Sequence, residues 1–307
     1  MSPERKPTNV AASVRSRLLG VSRRRGVEFQ LVLSEFATER LLYRLSVSSH
    51  AARFVLKGAR LFRLWLDGRL RATWDLDLLG RGVRSVSDVV GVVEDVCAIT
   101  VDDGIVFDPT SIAGEEIRAA DEYAGARVRL HARLGDARIP VQVDVGFGDA
   151  VVPPACLEDY PTLLDHAPPR ILAYPREAVV AEKLEAMVAL GVTNSRMKDF
   201  YDVHLLASSF VFDGLLLTQA IRATFERRGA SFPETVPLVL TPEFLAAPER
   251  QTQWRAFLRR SRLEAPPDAA LLAEALRRFL WPVLAAAARG DAFRKAWPPG
   301  GPWEARS

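Results

Sequence analysis

Asp75 and Asp77 stand one residue apart in Thr73-Trp74-Asp75-Leu76-Asp77-Leu78. In an extended strand alternate side chains share a face, so the two carboxylates lie side by side while Trp74, Leu76 and Leu78 turn to a core. Adjacent carboxylates repel unless a cation sits between them, and a hard cation such as Mg²⁺ with a triphosphate answers that need. A D-x-D alone reads more readily as a solvated strand end. Just upstream, Lys57-Gly58-Ala59-Arg60 puts a flexible residue where a strand gives way to a helix, a place where backbone N–H groups can meet phosphate. With that turn the metal reading draws level. The stretch Phe54 to Gly80 is thus expected to run strand, glycine turn, helix, and a second strand ending in the two aspartates.

Other residues could do chemistry further along. Ile139, Val141, Val143, Val145 and Phe147 take one face of an alternating run, which leaves Asp144 on the other with Gln142. A third carboxylate beside Asp75 and Asp77 and an ordinary solvent-facing aspartate both fit that position. Lys183 lies inside the alanine- and leucine-rich run Ala181-Glu182-Lys183-Leu184-Glu185-Ala186, where a lysine either snorkels to the surface or meets an anion. In Arg196-Met197-Lys198-Asp199-Phe200-Tyr201-Asp202, helical spacing makes Lys198 and Asp202 neighbours at i,i+4 and Asp199 and Asp202 neighbours at i,i+3. A surface salt-bridge face and a functional cluster are the two readings.

The elements that must carry these residues follow from periodicity. Residues 1–10 read as a tail, Ala11 to Arg25 as an arginine-rich amphipathic segment closed by Gly26, and Glu28 to Ser46 as a helix. Arg23-Arg24-Arg25 is read as a solvated helix end, with a phosphate backbone as the alternative. Ser85 to Ala98 is expected to be a helix with a stripe of Val86, Val89, Val90, Val93 and Val96. Arg127 to Leu134 and Ile139 to Phe147 form a hairpin about Gly135-Asp136, its Arg127, Arg129, His131 and Arg133 face read as solvated, with RNA contact as the alternative. Proline-rich Val152 to Tyr174 reads as the crossing between two domains, 1–174 and 175–307. Beyond it come a helix from Pro175 to Leu190 and, after a short loop, a second helix capped by Asn194 or Ser195. An arginine-studded helical remainder follows, broken at Pro266-Pro267 and Pro298-Pro299.

Composition narrows the field. The chain has 307 residues, 49% hydrophobic and 26% charged, which describes a globular protein. No apolar run approaches the roughly 20 residues needed to span a bilayer, and the N-terminus lacks a secretion signal's apolar core. Two cysteines, Cys97 and Cys156, make neither a disulfide framework nor a metal cluster, and a cytoplasmic protein is expected. A net charge of +3 makes no case for nucleic acid by itself. Only five of the 41 basic residues are lysines, and Lys57, Lys183 and Lys198 fall inside the stretches singled out above.

Taken in order, these pieces resemble the AbiEii/AbiGii-type toxin nucleotidyltransferases, a branch of the DNA polymerase β-like superfamily. Four motifs over roughly residues 11 to 210 carry the resemblance: the glycine turn with Asp75-Leu76-Asp77, Asp144 in Val141-Gln142-Val143-Asp144-Val145, Lys183 in its alanine-rich helix, and the R-x-K-D-x-x-D of residues 196–202. One departure stands out. Such turns often read Gly-Ser or Gly-Gly, whereas Gly58-Ala59 has no hydroxyl to offer a triphosphate.

The resemblance implies an α/β fold with a mixed central sheet and flanking helices, followed by a mostly helical C-terminal lobe that completes the active site. It implies a nucleotidyltransferase toxin with a cognate antitoxin, which moves NMP from an NTP to an RNA acceptor, the 3′ end of tRNA, and so blocks translation. Asp75, Asp77 and Asp144 would hold Mg²⁺, Asp144 alternatively drawing the proton from the attacking hydroxyl. Lys57, Gly58, Ala59, Arg60, Lys183, Lys198 and Asp199 would bind nucleotide. Asp202 with Lys198 would orient the base or Lys183, with Asp199 second for that role. Transfer to a small molecule such as an aminoglycoside, or to a protein hydroxyl, is the rival reading. A non-catalytic binding protein on the same scaffold is the third.

Overall fold

The computed structural model describes residues 9–67, 70–118, 124–263 and 269–305, so residues 1–8 of the expected tail and the Pro266-Pro267 break lie outside it. The chain divides into two compact units, Met1–Gly148 with Cys156–Ala173, and Asp149–Ala155 with Tyr174–Ser307.

The first unit opens with helices α1 (Val10–Arg25) and α2 (Phe29–Ser46). Asn9 caps α1 by accepting from the Ala12 N–H, and Gly26 ends it in the left-handed conformation at φ 63°. Then come strand β1 (Phe54–Lys57), a 3₁₀ turn (Gly58–Leu61), the one-turn helix α3 (Phe62–Trp65), strand β2 (Asp75–Gly80) and helix α4 (Val86–Ala98), which is capped by Ser85. Strands β3 (Ile105–Arg118), β4 (Ala124–Leu134), β5 (Ala137–Phe147), β6 (Cys156–Asp159) and β7 (Arg170–Ala173) follow. Together they make a seven-stranded sheet in the order β3-β4-β5-β2-β1-β7-β6. The β2–β5 and β1–β7 pairs are parallel and the others antiparallel, so the sheet is mixed. This is the α/β architecture expected.

Leu76 and Leu78 of β2 and Val141, Val143 and Val145 of β5 are buried, and all but Val141 meet Leu41 and Leu45 of α2 and Val89, Val93 and Val96 of α4 around a small apolar gap. Burying that face leaves the alternate residues, Asp75, Asp77, Gln142 and Asp144, on the opposite one. An ion cluster pins α2: Asp103, fully buried, accepts from Arg40 Nε at 2.9 Å and from Arg44 Nη1 at 2.7 Å. A buried carboxylate needs such partners to offset its lost hydration.

Several expectations are corrected. The aspartates open β2 rather than end it. Trp74, one residue before the strand, is 45% exposed and belongs to no core, because the alternation that would bury it has not yet begun. The stretch read as a crossing contributes β6 and β7, which pair with each other, β7 also running parallel to β1. The long edge strand β3 has no counterpart in the sequence reading. Pro109 and a register shift between Asp108 and Ala113 interrupt its pattern, features an edge strand tolerates. The valine stripe of α4 also moves: Val92 is buried, while Val86 and Val90 are less buried and lie over Gly114, where a Cβ would come 2.6 Å from Val90 Cγ2.

In the second unit α5 (Arg176–Leu190) and α6 (Met197–Ser209) are followed by strand β8 (Phe212–Asp213), helices α7 (Gly214–Arg227), α8 (Pro242–Ala246), α9 (Pro248–Ser261) and α10 (Ala269–Arg289), and strands β9 (Lys295–Trp297) and β10 (Glu304–Ala305). The strands form a small antiparallel sheet, β10-β9-β8, inside a region read from sequence as helical throughout. Strands of two or three residues are too short to leave an alternation. Among the described residues no helix is long and apolar enough to cross a membrane.

Candidate active site

The polar face of the first unit's sheet carries a row of charges set by register. Lys57 of β1 stands opposite Asp77 of β2, Asp77 opposite Asp144 of β5, and Asp144 opposite Arg127 of β4. The row therefore runs plus, minus, minus, plus across four strands. One step along, Asp75 is opposite Gln142, whose Nε2 donates to Asp75 Oδ1 at 2.9 Å and reaches Asp144 Oδ2 at 3.4 Å. Arg127 closes on Asp144 in a bidentate pair, Nε to Oδ1 at 2.8 Å and Nη2 to Oδ2 at 2.7 Å. Those hydrogen bonds hold the Arg127 guanidinium protonated well above its ordinary range, against its partial desolvation. The basic strand face is thus not simply solvated, since Arg129 also pairs with Glu115 at 2.8 Å.

Gly58 explains why the turn reads as it does. Its φ is +72°, and a Cβ there would fall 2.0 Å from Asp77 Oδ2. The Asp77 carboxylate lies directly against the turn's backbone, and only glycine permits both the conformation and the approach. Arg60, expected to meet nucleotide, is buried: its Nε donates to the Asp75 carbonyl at 3.0 Å and its Nη2 to Thr38 Oγ1 at 3.0 Å. It ties α2 to the first residue of β2 and so fixes where Asp75 begins. Lys57 and Ala59 are half-buried beside this turn.

A family model described as nucleotidyl transferase AbiEii toxin, type IV toxin–antitoxin system, matches residues 40–287. The chain belongs to this family. It is a nucleotidyltransferase toxin by family, and a type IV system implies an antitoxin partner. Among solved structures it is similar to JHP933 from Helicobacter pylori, at 15% identity over 85% of this chain and 90% of that one with a TM-score of 0.46. It is also similar to a candidate nucleotidyltransferase from H. pylori, at 16% identity over 86% and 95% with a TM-score of 0.45. No curated protein matches the sequence.

The remaining AbiEii motif residues lie in the second unit. Lys183 on α5 is 14% exposed at its side chain, and its Nζ is held by Asp199 Oδ1 at 2.7 Å and Asp202 Oδ2 at 2.8 Å, both from α6. Arg196 Nε adds an ion pair to Asp199 Oδ2 at 2.9 Å. Asp199 and Asp202 are each 1% exposed, and their i,i+3 spacing turns both toward the lysine. Lys183 therefore does not snorkel; its ammonium is closed by two carboxylates. Asp202 meets Lys183 directly, and Lys198 is exposed on α6. The start of α6 also differs from expectation. Arg196 occupies the cap position without capping a backbone N–H through its side chain, while Asn194 Oδ1 accepts from the Arg196 N–H at 2.8 Å and shapes the turn before it.

The residues missed from sequence are Arg127 and Gln142. Register alone points to them: once Asp144 is placed on the polar face, Arg127 is its partner across a two-residue hairpin turn, and Gln142 its neighbour two positions back.

As to a metal, the donor set is hard oxygen, which suits Mg²⁺. Among the described residues no three acidic, histidine or cysteine side chains converge as a metal cage, and Asp144 is held by Arg127. Magnesium with a nucleotide is commonly held by one or two carboxylates plus phosphate oxygens, and Asp75 with Asp77 meets that requirement.

Proposed function

We propose that this AbiEii-family toxin is a Mg²⁺-dependent enzyme that transfers NMP from an NTP to the 3′ end of tRNA, and that the added nucleotide blocks translation until the antitoxin intervenes. The observation that carries the reading is the placement of Asp75 and Asp77 beside Asp144 on one face of the parallel β2–β5 pair, against a glycine turn.

Asp75 and Asp77 would hold the metal, which would supply neutralisation of the charge that develops on the triphosphate. Lys57, opposite Asp77, and the Gly58-Ala59 backbone would meet the phosphates. Arg60 and Gln142 position the carboxylates. Asp144, aligned by Arg127 and Gln142, would take the proton from the attacking hydroxyl. That oxygen bonds to the α-phosphorus while pyrophosphate leaves with the bridging oxygen. On the second unit, Lys183, oriented by Asp199 and Asp202, would present positive charge to a phosphate group.

The test is to incubate the protein, Mg²⁺ and each α-labelled NTP in turn with intact tRNA or with tRNA whose 3′-terminal diol has been oxidised. Label is expected in intact tRNA and not in the oxidised form. Label on the protein itself, or on an added aminoglycoside with none on tRNA, would move the acceptor to a protein hydroxyl or a small molecule. No label on any acceptor would favour a non-catalytic binding protein.

A further inference from the structure

The second unit has a cavity of about 370 Å³ whose lining includes Ser195, Arg196, Lys198, Gln253, Phe257 and Arg260. Its walls come from the first turn of α6 and one face of α9, and among the described residues no carboxylate lines it. On α6, Asp199 and Asp202 are buried and closed on Lys183, Asp199 also pairing with Arg196. The lining itself carries Arg196, Lys198 and Arg260, so positive charge is in excess there even with Arg196 paired to Asp199. The positive end of the α6 macrodipole points the same way.

The lining is suited to phosphate and poorly suited to a base. Two arginines can grip phosphate oxygens with planar forks, and Ser195 and Gln253 offer further polar groups. The aromatic side chain of the lining, Phe257, is 7% exposed and stacked against Trp254 at 5.6 Å between ring centroids, leaving little face for a nucleobase. We infer that this cavity binds phosphodiester groups of the RNA acceptor, without reading sequence. The inference rests on the RNA-acceptor reading above. Arg260 is its decisive residue, being exposed, outside the AbiEii motifs, and on a different helix from Arg196 and Lys198.

Binding of fluorescent tRNA would be followed across a range of salt concentrations without NTP, for wild type, Arg260→Gln, Arg260→Lys and Arg255→Gln. Arg255 is an exposed residue of α9 that does not line the cavity, and binding of each NTP would be measured in parallel. The expected result for Arg260→Gln is tRNA affinity reduced about three- to tenfold and a salt slope smaller by about one phosphate contact. Arg260→Lys should recover most of the slope, while Arg255→Gln and all NTP affinities stay at wild-type values. Equal losses in Arg255→Gln and Arg260→Gln would replace the cavity with diffuse surface charge and overturn the inference. Weakened NTP binding with unchanged tRNA binding would assign the cavity to nucleotide and overturn it too. If wild type binds and labels tRNA while Arg260→Gln matches it, the cavity fails alone. If wild type neither binds nor labels tRNA, the acceptor reading fails and takes the cavity with it.

Discussion

On β2 and β5 the charged groups stand on a half-buried sheet face at positions fixed by strand register, whereas Asp199 and Asp202 are 1% exposed and folded onto Lys183. The first arrangement keeps like charges side by side, Asp77 opposite Asp144 with Asp75 one step away, and sets the cations Lys57 and Arg127 at its flanks. Such a site would gain from an arriving cation. The second is internally compensated, two carboxylates closing on one ammonium, with Arg196 adding a second cation at Asp199. It gains rigidity instead. The same residue types thus serve two ends, and the environment decides which.

The difference can be broken at four points, the largest first. Lys183→Met leaves two buried carboxylates without their shared cation, and losing one partner of a buried pair costs about 3–5 kcal/mol. Denaturant unfolding should show that loss, and adding Asp199→Asn and Asp202→Asn to Lys183→Met should recover part of it. Asp77→Asn acts oppositely. Its labelling rate should fall about 10²–10³-fold, while its unfolding midpoint stays near wild type because the group is half-exposed. Equal effects of the two substitutions on stability would erase the distinction.

Gly58→Ala ranks third. It forces a side chain into the left-handed region at about 1–2 kcal/mol and drives Asp77 from its seat, since the new Cβ would lie 2.0 Å from Oδ2. Labelling should fall with only a modest drop in stability. Arg127→Met is the mildest. It releases Asp144 and removes a positive charge, both of which favour Mg²⁺, so Mg²⁺ affinity should rise by up to about tenfold. A calorimetric titration showing weaker binding would mean that Arg127 instead holds Asp144 in its metal-binding pose.

Much of the first region was legible because a strand's period of two is unambiguous. Alternation placed Asp144 on the face opposite the valines of β5, and the hairpin about Gly135-Asp136 formed where the pattern broke. Pairing between distant strands left no such mark. Nothing in the sequence says that β2 runs beside β5, and that neighbourhood, not the D-x-D, brings Asp77 to Asp144. Lys57 stands opposite Asp77, and Gly58 lies against its carboxylate. Arg60 did not become a surface cation, because its guanidinium is taken up by the Thr38 hydroxyl and the Asp75 carbonyl. In the second region spacing revealed that Asp199 and Asp202 share a helix face. Which cation they meet depends on how α5 lies against α6, and that is a property of packing.

In the proposed reaction Asp75 and Asp77 form the metal-dependent transfer site. The most direct measurement compares incorporation of α-labelled NTP into tRNA by wild type and Asp75→Asn/Asp77→Asn, each with Mg²⁺ and with excess chelator, after equal unfolding midpoints have been established. Label is expected only for wild type with Mg²⁺. Incorporation by the double variant, or by wild type in chelator, at a comparable rate would contradict it.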